Sequence, residues 1–195
     1  MYHLLGPLAC GGSRMVHMPG KKQSTDIPRK RRSLLAQLAD EPEKLFTGAF
    51  RQQYGAICFR YVGETSKIEV LVISSRDTGR WVVPKGWPMK KKKPHEAAAI
   101  EAWEEAGVRG TVHKTAVGRY TYLKFLDDGD VVPTIVDLFQ IEVTLQQDAF
   151  KEKGQRRLAW VEPDEAARRV RELELKSLLV DFKPKGKRKG VLPQR

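Results

Sequence analysis

A helix with clear boundaries, flanked on both sides by strand-like segments, is the sequence feature that most constrains the fold. It begins at Pro94, which suits a first helical turn because no backbone N–H is needed there. It ends at Gly107, which tolerates the left-handed conformation common after a helix. The predicted strands, rich in β-branched and aromatic residues, cover 54–62, 68–74, 81–83, 115–125, 134–143 and 158–161. This order predicts an α/β (α+β) domain in which a mixed β-sheet is flanked by helices.

Three further elements complete the predicted secondary structure. Residues 164–179 mix charged and apolar residues in the manner of a single amphipathic helix. A turn is predicted at residues 127–130, between two strands. A short helix is predicted over residues 33–44, where Ser33 is a suitable N-cap.

The net charge of +12 is confined to the two ends of the chain. Residues 1–32 carry seven Lys or Arg and one acid, residues 183–195 carry six Lys or Arg and no acid, and the remainder is neutral. Gly, Pro and charged residues dominate both ends, so each is predicted to be a disordered basic arm. Such arms favour contacts with nucleic acid or another acidic partner, but the neutral middle indicates that these contacts do not define the reaction.

Cysteine usage and hydropathy limit the setting in which the chain works. Cys10 and Cys58 are far apart and have no partner motif, which excludes a disulfide scaffold and a cysteine-ligated zinc site. The apolar stretch that ends at Cys10 lacks the basic start of a secretory signal and is interrupted by Gly6 and Pro7. No run approaches the roughly 18 apolar residues of a membrane-spanning helix. We therefore predict a cytoplasmic protein without membrane contact, and the oligomeric state stays open.

Three glutamates lie close together on the predicted helix. Glu101, Glu104 and Glu105 are three and four residues apart, a spacing that puts their side chains on neighbouring positions of one helix face. One interpretation is a solvated acidic surface, which is common. The other is a site for Mg²⁺ or Mn²⁺, because these cations prefer oxygen ligands and offset the repulsion between clustered carboxylates.

A longer motif that begins at Gly86 surrounds these glutamates and reads GWPMKKKKPHEAAAIEAWEEAGV. It resembles the Nudix box, whose pattern is Gly, five residues, Glu, seven residues, Arg-Glu, an apolar residue, any residue, Glu-Glu, any residue, Gly and an apolar residue. The positions that match without gaps are Gly86, Glu101, Ala102, Glu104, Glu105, Gly107 and Val108. Two positions depart from the pattern, with Lys92 in place of the first Glu and Ile100 in place of the Arg.

The resemblance extends over residues 51–182 and implies a Nudix-like α/β/α sandwich. It divides the chain into a basic arm (1–32), a short helix with its lead-in (33–50), the Nudix-like domain and a basic tail (183–195). The segment KEKGQRRLAWVEPDEAARRV resembles the end of that domain, where an acid-bearing loop precedes a short strand and the last helix.

Metal-dependent hydrolysis of phosphoanhydride bonds is the activity that the resemblance implies. The implied ligands of Mg²⁺ or Mn²⁺ are the carboxylates of Glu101, Glu104 and Glu105 and the backbone carbonyl of Lys85. The implied catalytic residues are Glu101, Glu105 and Glu152. Either Glu101 or Glu152 would act as the general base, and Asp148 is the alternative to Glu152 in the acid-bearing loop.

Basic residues before the helix suit a polyphosphorylated small-molecule substrate. Four consecutive lysines, at 90–93, immediately precede the helix, although a simply solvated lysine loop is the alternative interpretation. The predicted substrate-binding residues are Arg76, Arg80, Lys85, Lys90, Lys92 and Arg119. The segments SSRDTGRWVVPKG and RRLAWV resemble the branch of the family that acts on diphosphoinositol polyphosphates and diadenosine polyphosphates.

Two other functions fit the same residues. The departures at Lys92 and Ile100 permit a sensor, which binds a phosphorylated ligand without hydrolysing it. The basic arms permit an RNA-directed Nudix protein, although the sequence has no RNA-binding signature with stacking aromatic residues.

Overall fold

A computed structural model describes residues 50–126 and 131–186. The strands are β1 (Arg51–Tyr61), β2 (Ile68–Ser74), β3 (Trp81–Val82), β4 (Lys85–Gly86), β5 (Val108–Val112), β6 (Gly118–Phe125), β7 (Val131–Gln146) and β8 (Leu158–Val161). The helices are α1 (Pro94–Ala106), α2 (Pro163–Arg169) and α3 (Leu173–Val180). None of these helices is long and apolar enough to span a membrane. The predicted helix at 33–44, the turn at 127–130 and most of both basic arms lie outside the described residues.

The strands of the described residues form one mixed sheet. Its central order is β3-β2-β1-β7-β5, while β4 pairs with β1, β6 with β7, and β8 with β2. β1 and β7 are parallel, with Arg51 opposite Thr134, and the other pairs are antiparallel. The long strand β7 pairs with β6 along residues 131–138 and with β5 along residues 141–146. The predicted mixed sheet is confirmed.

Each face of the sheet carries its own hydrophobic core, and helices cover both. β1 shows why, since Ala56 and Cys58 pack on the α1 side whereas Ile57 and Phe59 pack on the side of α2 and α3. The residues that α1 buries against the sheet are Ala98, Ala102 and Ala106. The predicted sandwich, with a mixed sheet between helices, is confirmed.

Both ends of α1 carry the signals that the sequence predicts. Pro94 occupies the first turn, and the Glu96 carboxylate accepts a hydrogen bond from the Lys93 backbone N–H at 2.9 Å. Gly107 follows the helix with φ of 68°, a left-handed conformation that strains residues with a side chain. These local contacts fix the helix boundaries and therefore the position of its glutamates.

The prediction of one helix over residues 164–179 is wrong, because the structure has two. Val170, which ends α2, is extended with ψ of 165° and is buried in the core. Glu172, which precedes α3, forms a largely buried ion pair with Arg80 of the β2–β3 connection. Tertiary contacts, rather than a proline or glycine, therefore interrupt the helix.

Two strands are missed by the sequence prediction. β4 has two residues, too few to show a pattern. β5 follows α1 directly and has a register shift between Arg109 and Gly110 where it pairs with β7. Its three central residues are exposed, so it lacks the alternation of buried and exposed positions that marks a strand.

Candidate active site

A two-residue strand holds the loop before α1 against β1. In this antiparallel pair, Gly86 lies opposite Tyr54. The Pro84 carbonyl next to it accepts a hydrogen bond from the Ala56 backbone N–H at 2.9 Å. The backbone of residues 84–86 is thereby placed beside the glutamate-bearing face of α1.

Glu101 lies directly against Gly86. A Cβ atom on Gly86 would come within 1.9 Å of Glu101 Oε1, so glycine leaves the room that this carboxylate occupies. Burial, followed by the charges of Glu105, Glu104 and Glu152, raises the pKa of Glu101 to about 7. Burial, together with repulsion from the neighbouring carboxylates, thus keeps a proton on Glu101 up to near-neutral pH unless a cation offsets both effects.

Glu105 is buried and bonded through both oxygens. Its Oε2 accepts a hydrogen bond from the Lys85 backbone N–H at 3.0 Å, and its Oε1 pairs with Arg156 Nη2. Burial raises the pKa of Glu105, and the charges of Lys85 and Arg156 oppose that rise. Glu105 therefore joins α1 to the loop on one side and to Arg156 on the other.

Arg156, in the loop before β8, links two of the carboxylates. Its Nε donates to Glu152 Oε2 at 2.6 Å, its Nη2 contacts Glu105, and its Nη1 donates to the Ser74 carbonyl at 3.0 Å. Because the side chain is only 6% exposed, these contacts take the place of water around the guanidinium. Sequence analysis missed this residue, and its spacing of four from Glu152 is the one signal for the pair.

The same loop also reaches Glu104. The Glu152 backbone N–H donates to the Glu104 carbonyl at 3.1 Å, and Lys151 Nζ lies 2.5 Å from Glu104 Oε2. Asp148, the alternative to Glu152, is fully exposed and pairs with Lys153 instead. The residues that meet at this end of α1, hereafter the carboxylate cluster, are Glu101, Glu104, Glu105 and Glu152.

The donor chemistry of the carboxylate cluster fits a hard divalent cation. Carboxylate oxygens are preferred ligands of Mg²⁺ and Mn²⁺, and a cation would offset the burial and the repulsion that raise the pKa of Glu101. Among residues 50–126 and 131–186, no three His, Cys, Asp or Glu side chains already form a metal-binding group. Lys151 and Arg156 neutralise Glu104 and Glu105 instead.

Arg76 connects the carboxylate cluster to a cavity. Its Nη1 lies 3.3 Å from Glu152 Oε1, and its side chain lines a cavity of about 270 Å³. The lining of this space, hereafter the cationic cavity, includes three basic residues and one acidic residue. Its charged and aromatic lining residues are Arg51, Arg76, Asp77, Trp87, Lys124 and Phe125.

The lysine loop between β4 and α1 is exposed to solvent. Lys90 and Lys92 lie on it, and neither belongs to the described residues that line the cationic cavity. Ile100, the other departure from the Nudix pattern, lines an apolar depression with Trp103 and Arg109. Neither departure leaves a buried charge, since one residue is exposed and the other apolar.

Arg80 and Arg119 pair with acidic side chains of the protein. Arg80 contacts Glu172 in the largely buried pair that precedes α3. Arg119, exposed on β6, places its Nη2 3.0 Å from Asp137 Oδ1. A role for either arginine in substrate binding stays a prediction.

Lys85 is the basic residue nearest to the backbone contact between loop and helix. Its ammonium lies 5.5 Å from the centre of the Tyr122 ring. Burial lowers the pKa of Lys85 to about 8, against the opposing effect of Glu105. A role for Lys85 in substrate binding stays a prediction.

Comparisons with known proteins show which family the chain is similar to. Residues 51–182, more than half of the chain, match the family model described as the NUDIX domain. The chain is 29% identical over 140 residues to "Nudix hydrolase 21, chloroplastic" of Arabidopsis thaliana. The aligned region covers 69% of this chain and 67% of that protein.

A second relative is "Diphosphoinositol polyphosphate phosphohydrolase 3-alpha" of Mus musculus, 33% identical over 93 residues, or 40% of this chain. The match covers 56% of that protein, so the chain spans about half the length of this relative. Among solved structures, a C. elegans Ap4A hydrolase binary complex has a TM-score of 0.50 at 22% identity, covering 67% of this chain and 93% of that one, which bears on the fold alone. With the family model matched across the domain that carries the carboxylate cluster, this chain belongs to the Nudix family of hydrolases.

Proposed function

We propose that this chain is a metal-dependent hydrolase that cleaves phosphoanhydride bonds in a polyphosphorylated small molecule. The observation that carries the proposal is the position of Arg76, which contacts the carboxylate cluster through Glu152 and also lines the cationic cavity. Carboxylates suit a divalent cation, and Arg or Lys side chains suit phosphates. A diphosphate held between the two groups would use both.

Mg²⁺ or Mn²⁺ would be held by the carboxylates of Glu101, Glu104 and Glu105, with the Lys85 carbonyl as a further ligand. A bound cation would polarise the phosphoanhydride and offset its negative charge. To bind the cation, Glu104 would give up its ion pair with Lys151. The Lys151 side chain is 65% exposed, and an exposed ion pair of this kind costs little to break.

Glu101 is the stronger of the two candidates for the general base. Among the described residues, no Lys or Arg side chain pairs with Glu101, so its carboxylate can contact the attacking water. Both oxygens of Glu152 already contact cations, one with Arg156 at 2.6 Å and the other with Arg76 at 3.3 Å. These contacts favour a positioning role for Glu152.

As substrate we propose a diadenosine polyphosphate, a diphosphoinositol polyphosphate or another nucleoside diphosphate derivative. The mouse relative is named for diphosphoinositol polyphosphates. The three cations of the cavity, Arg51, Arg76 and Lys124, suit a ligand with several phosphates.

Turnover of a phosphoanhydride panel tests this proposal. The panel holds diadenosine tetraphosphate, a diphosphoinositol polyphosphate and a nucleoside diphosphate sugar, each with Mg²⁺, with Mn²⁺ and with EDTA. We expect at least one compound to be hydrolysed at least about 100-fold faster with a cation than with EDTA. Asp148→Asn, an exposed carboxylate change outside the cluster, should keep the full rate. If a compound of the panel binds tightly but none is hydrolysed, the hydrolase proposal is wrong and the chain is a sensor.

Replacing Gly86 with alanine is expected to lower the rate about 100-fold without unfolding the protein. The new Cβ would come within 1.9 Å of Glu101 Oε1, and because this atom ends a flexible side chain, the carboxylate would move rather than the backbone. Misplacing a reacting group by about 1 Å is enough for a loss of this size. Steady-state rates and thermal unfolding of the purified variant measure the two effects separately.

The double variant Gly86→Ala/Glu101→Gln is the control for that experiment. It should be no slower than Glu101→Gln alone, because both changes act on one carboxylate. Losses that add up in the double variant would show that Gly86 acts through a different group.

A further inference from the structure

Trp87 is an aromatic residue among those that line the cationic cavity. It follows Gly86 directly and is 37% exposed. Its side chain is in neither of the two hydrophobic cores formed by the described residues. A large, partly exposed ring that lies outside both cores is available to a ligand.

Two basic side chains lie near the Trp87 ring but do not stack closely on it. Arg51 Cζ and Lys124 Nζ each lie 5.9 Å from the ring centroid, at the outer limit of cation–π contact. Trp87 therefore places a partly exposed ring beside two charged side chains. Proteins that bind single-stranded nucleic acid without sequence preference combine the same two features, an aromatic surface for the base and basic side chains for the phosphates.

Arg76 links one side of the cationic cavity to the carboxylate cluster. Its contact with Glu152 places the carboxylate cluster on one side of the cavity. Phe125, 54% exposed, lines the cavity together with Trp87 and contributes a second exposed ring. A ligand with its ring on Trp87 and its phosphates beside Arg76 would point its phosphate chain toward the carboxylate cluster.

We propose that Trp87 is the stacking surface for the base of a nucleoside polyphosphate, so that this site selects nucleotides over inositol polyphosphates. The inference rests on the proposed function, because it assigns one part of the substrate at the same site. An inositol polyphosphate offers phosphates to Arg51, Arg76 and Lys124 but has no aromatic ring for Trp87. A nucleoside polyphosphate uses both kinds of contact.

Binding of ATP compared with inorganic tripolyphosphate tests the inference. Calorimetry on the full chain with EDTA removes turnover, and the two ligands share a triphosphate chain while only ATP has a base. We expect ATP to bind about tenfold more tightly than tripolyphosphate, the effect of one stacked base. Trp87→Ala should remove this difference by weakening ATP alone, and Trp87→Phe should keep most of it.

Tryptophan fluorescence identifies the ring that the base contacts. ATP should quench the emission of the wild type and tripolyphosphate should not. Trp87→Phe should lose the quenching while it still binds ATP. Trp160→Phe is the matched control, because that ring lies on β8 under Arg60, 4.4 Å from its guanidinium, and should leave the quenching intact.

Either of two results would overturn the inference. The first is that the wild type binds ATP and tripolyphosphate with equal affinity. The second is that Trp87→Ala weakens the affinity for both ligands by the same factor. Because binding is measured without turnover, a preference for ATP with no hydrolysis would remove only the proposed function. Metal-dependent hydrolysis without a preference for ATP would remove only the stacking role of Trp87.

Discussion

Replacing Glu105 with glutamine is expected to lower the metal-dependent hydrolysis rate about 1,000-fold while the protein stays folded. Glu105 is the most buried member of the carboxylate cluster that lies on α1, and it contacts both Lys85 and Arg156. Glutamine keeps an oxygen for the Lys85 N–H but removes the negative charge. Losing one of three carboxylates that neutralise a divalent cation removes several kcal/mol of stabilisation, which corresponds to a rate loss of this size.

Glu96→Gln is the matched control for this variant. It makes the same chemical change on the same helix, but its carboxylate caps the first turn through the Lys93 N–H at 2.9 Å, and glutamine also serves in that position. Initial rates at saturating metal and circular dichroism on both variants separate catalysis from folding. A wild-type rate in Glu105→Gln would contradict the assignment of this residue to the metal site.

Replacing Arg156 with methionine is expected to destabilise the fold by about 3–5 kcal/mol, the usual result of removing one partner from a buried ion pair. The change leaves Glu105 and Glu152 without their shared cation, and the Ser74 carbonyl loses a donor. Thermal unfolding should show a midpoint lower by on the order of 10 °C. This is the largest stability effect that we expect from a single side chain of the site.

The pH dependence distinguishes lost charge pairing from lost packing in this variant. Burial already raises the pKa of Glu105 above its ordinary value of 4.5, and removing Arg156 would raise it further. A carboxyl group whose pKa is higher in the folded than in the unfolded state loses stability as pH rises through that interval. The deficit of Arg156→Met should therefore be small near pH 4.5 and larger at pH 8.

Arg157→Met is the control, because the neighbouring Arg157 is exposed and stacks on Trp81 at 5.1 Å. Arg157→Met should lower the unfolding midpoint only slightly, and by the same amount at pH 4.5 and pH 8. Equal midpoints for the two variants, or a deficit of Arg156→Met that is independent of pH, would contradict the role given to Arg156.

Elements set by local contacts are the part of the fold that could be predicted from sequence. The position of α1 follows from Pro94 and Gly107, which act within their own turns of chain. The break between α2 and α3 could not be predicted, since Glu172 meets Arg80, 92 positions earlier, only in the folded protein. For the same reason β4 is invisible in the sequence, because its two residues become a strand only beside β1.

The candidate site divides along the same line. The glutamates of α1 were expected together because helical spacing alone makes them neighbours. Arg156 lies 51 positions from Glu105, and its contacts depend on a loop that folds back over the end of the helix. Trp87 appears in the sequence as one apolar residue in a lysine-rich loop, and its place beside Arg51 and Lys124 emerges only when three distant segments meet.

The parallel pairing of β1 with β7 has a consequence for the order in which the protein is made. Gln52 of β1 donates to Asp137 of β7, 85 positions later, so the central pair of the sheet forms only after both strands leave the ribosome. At about 5–20 residues per second, this interval is on the order of ten seconds. Throughout it, one edge of β1 carries backbone groups that await β7 and are open to strands of neighbouring nascent chains. Yield in the cell should therefore depend on how long chaperones shield β1 during synthesis.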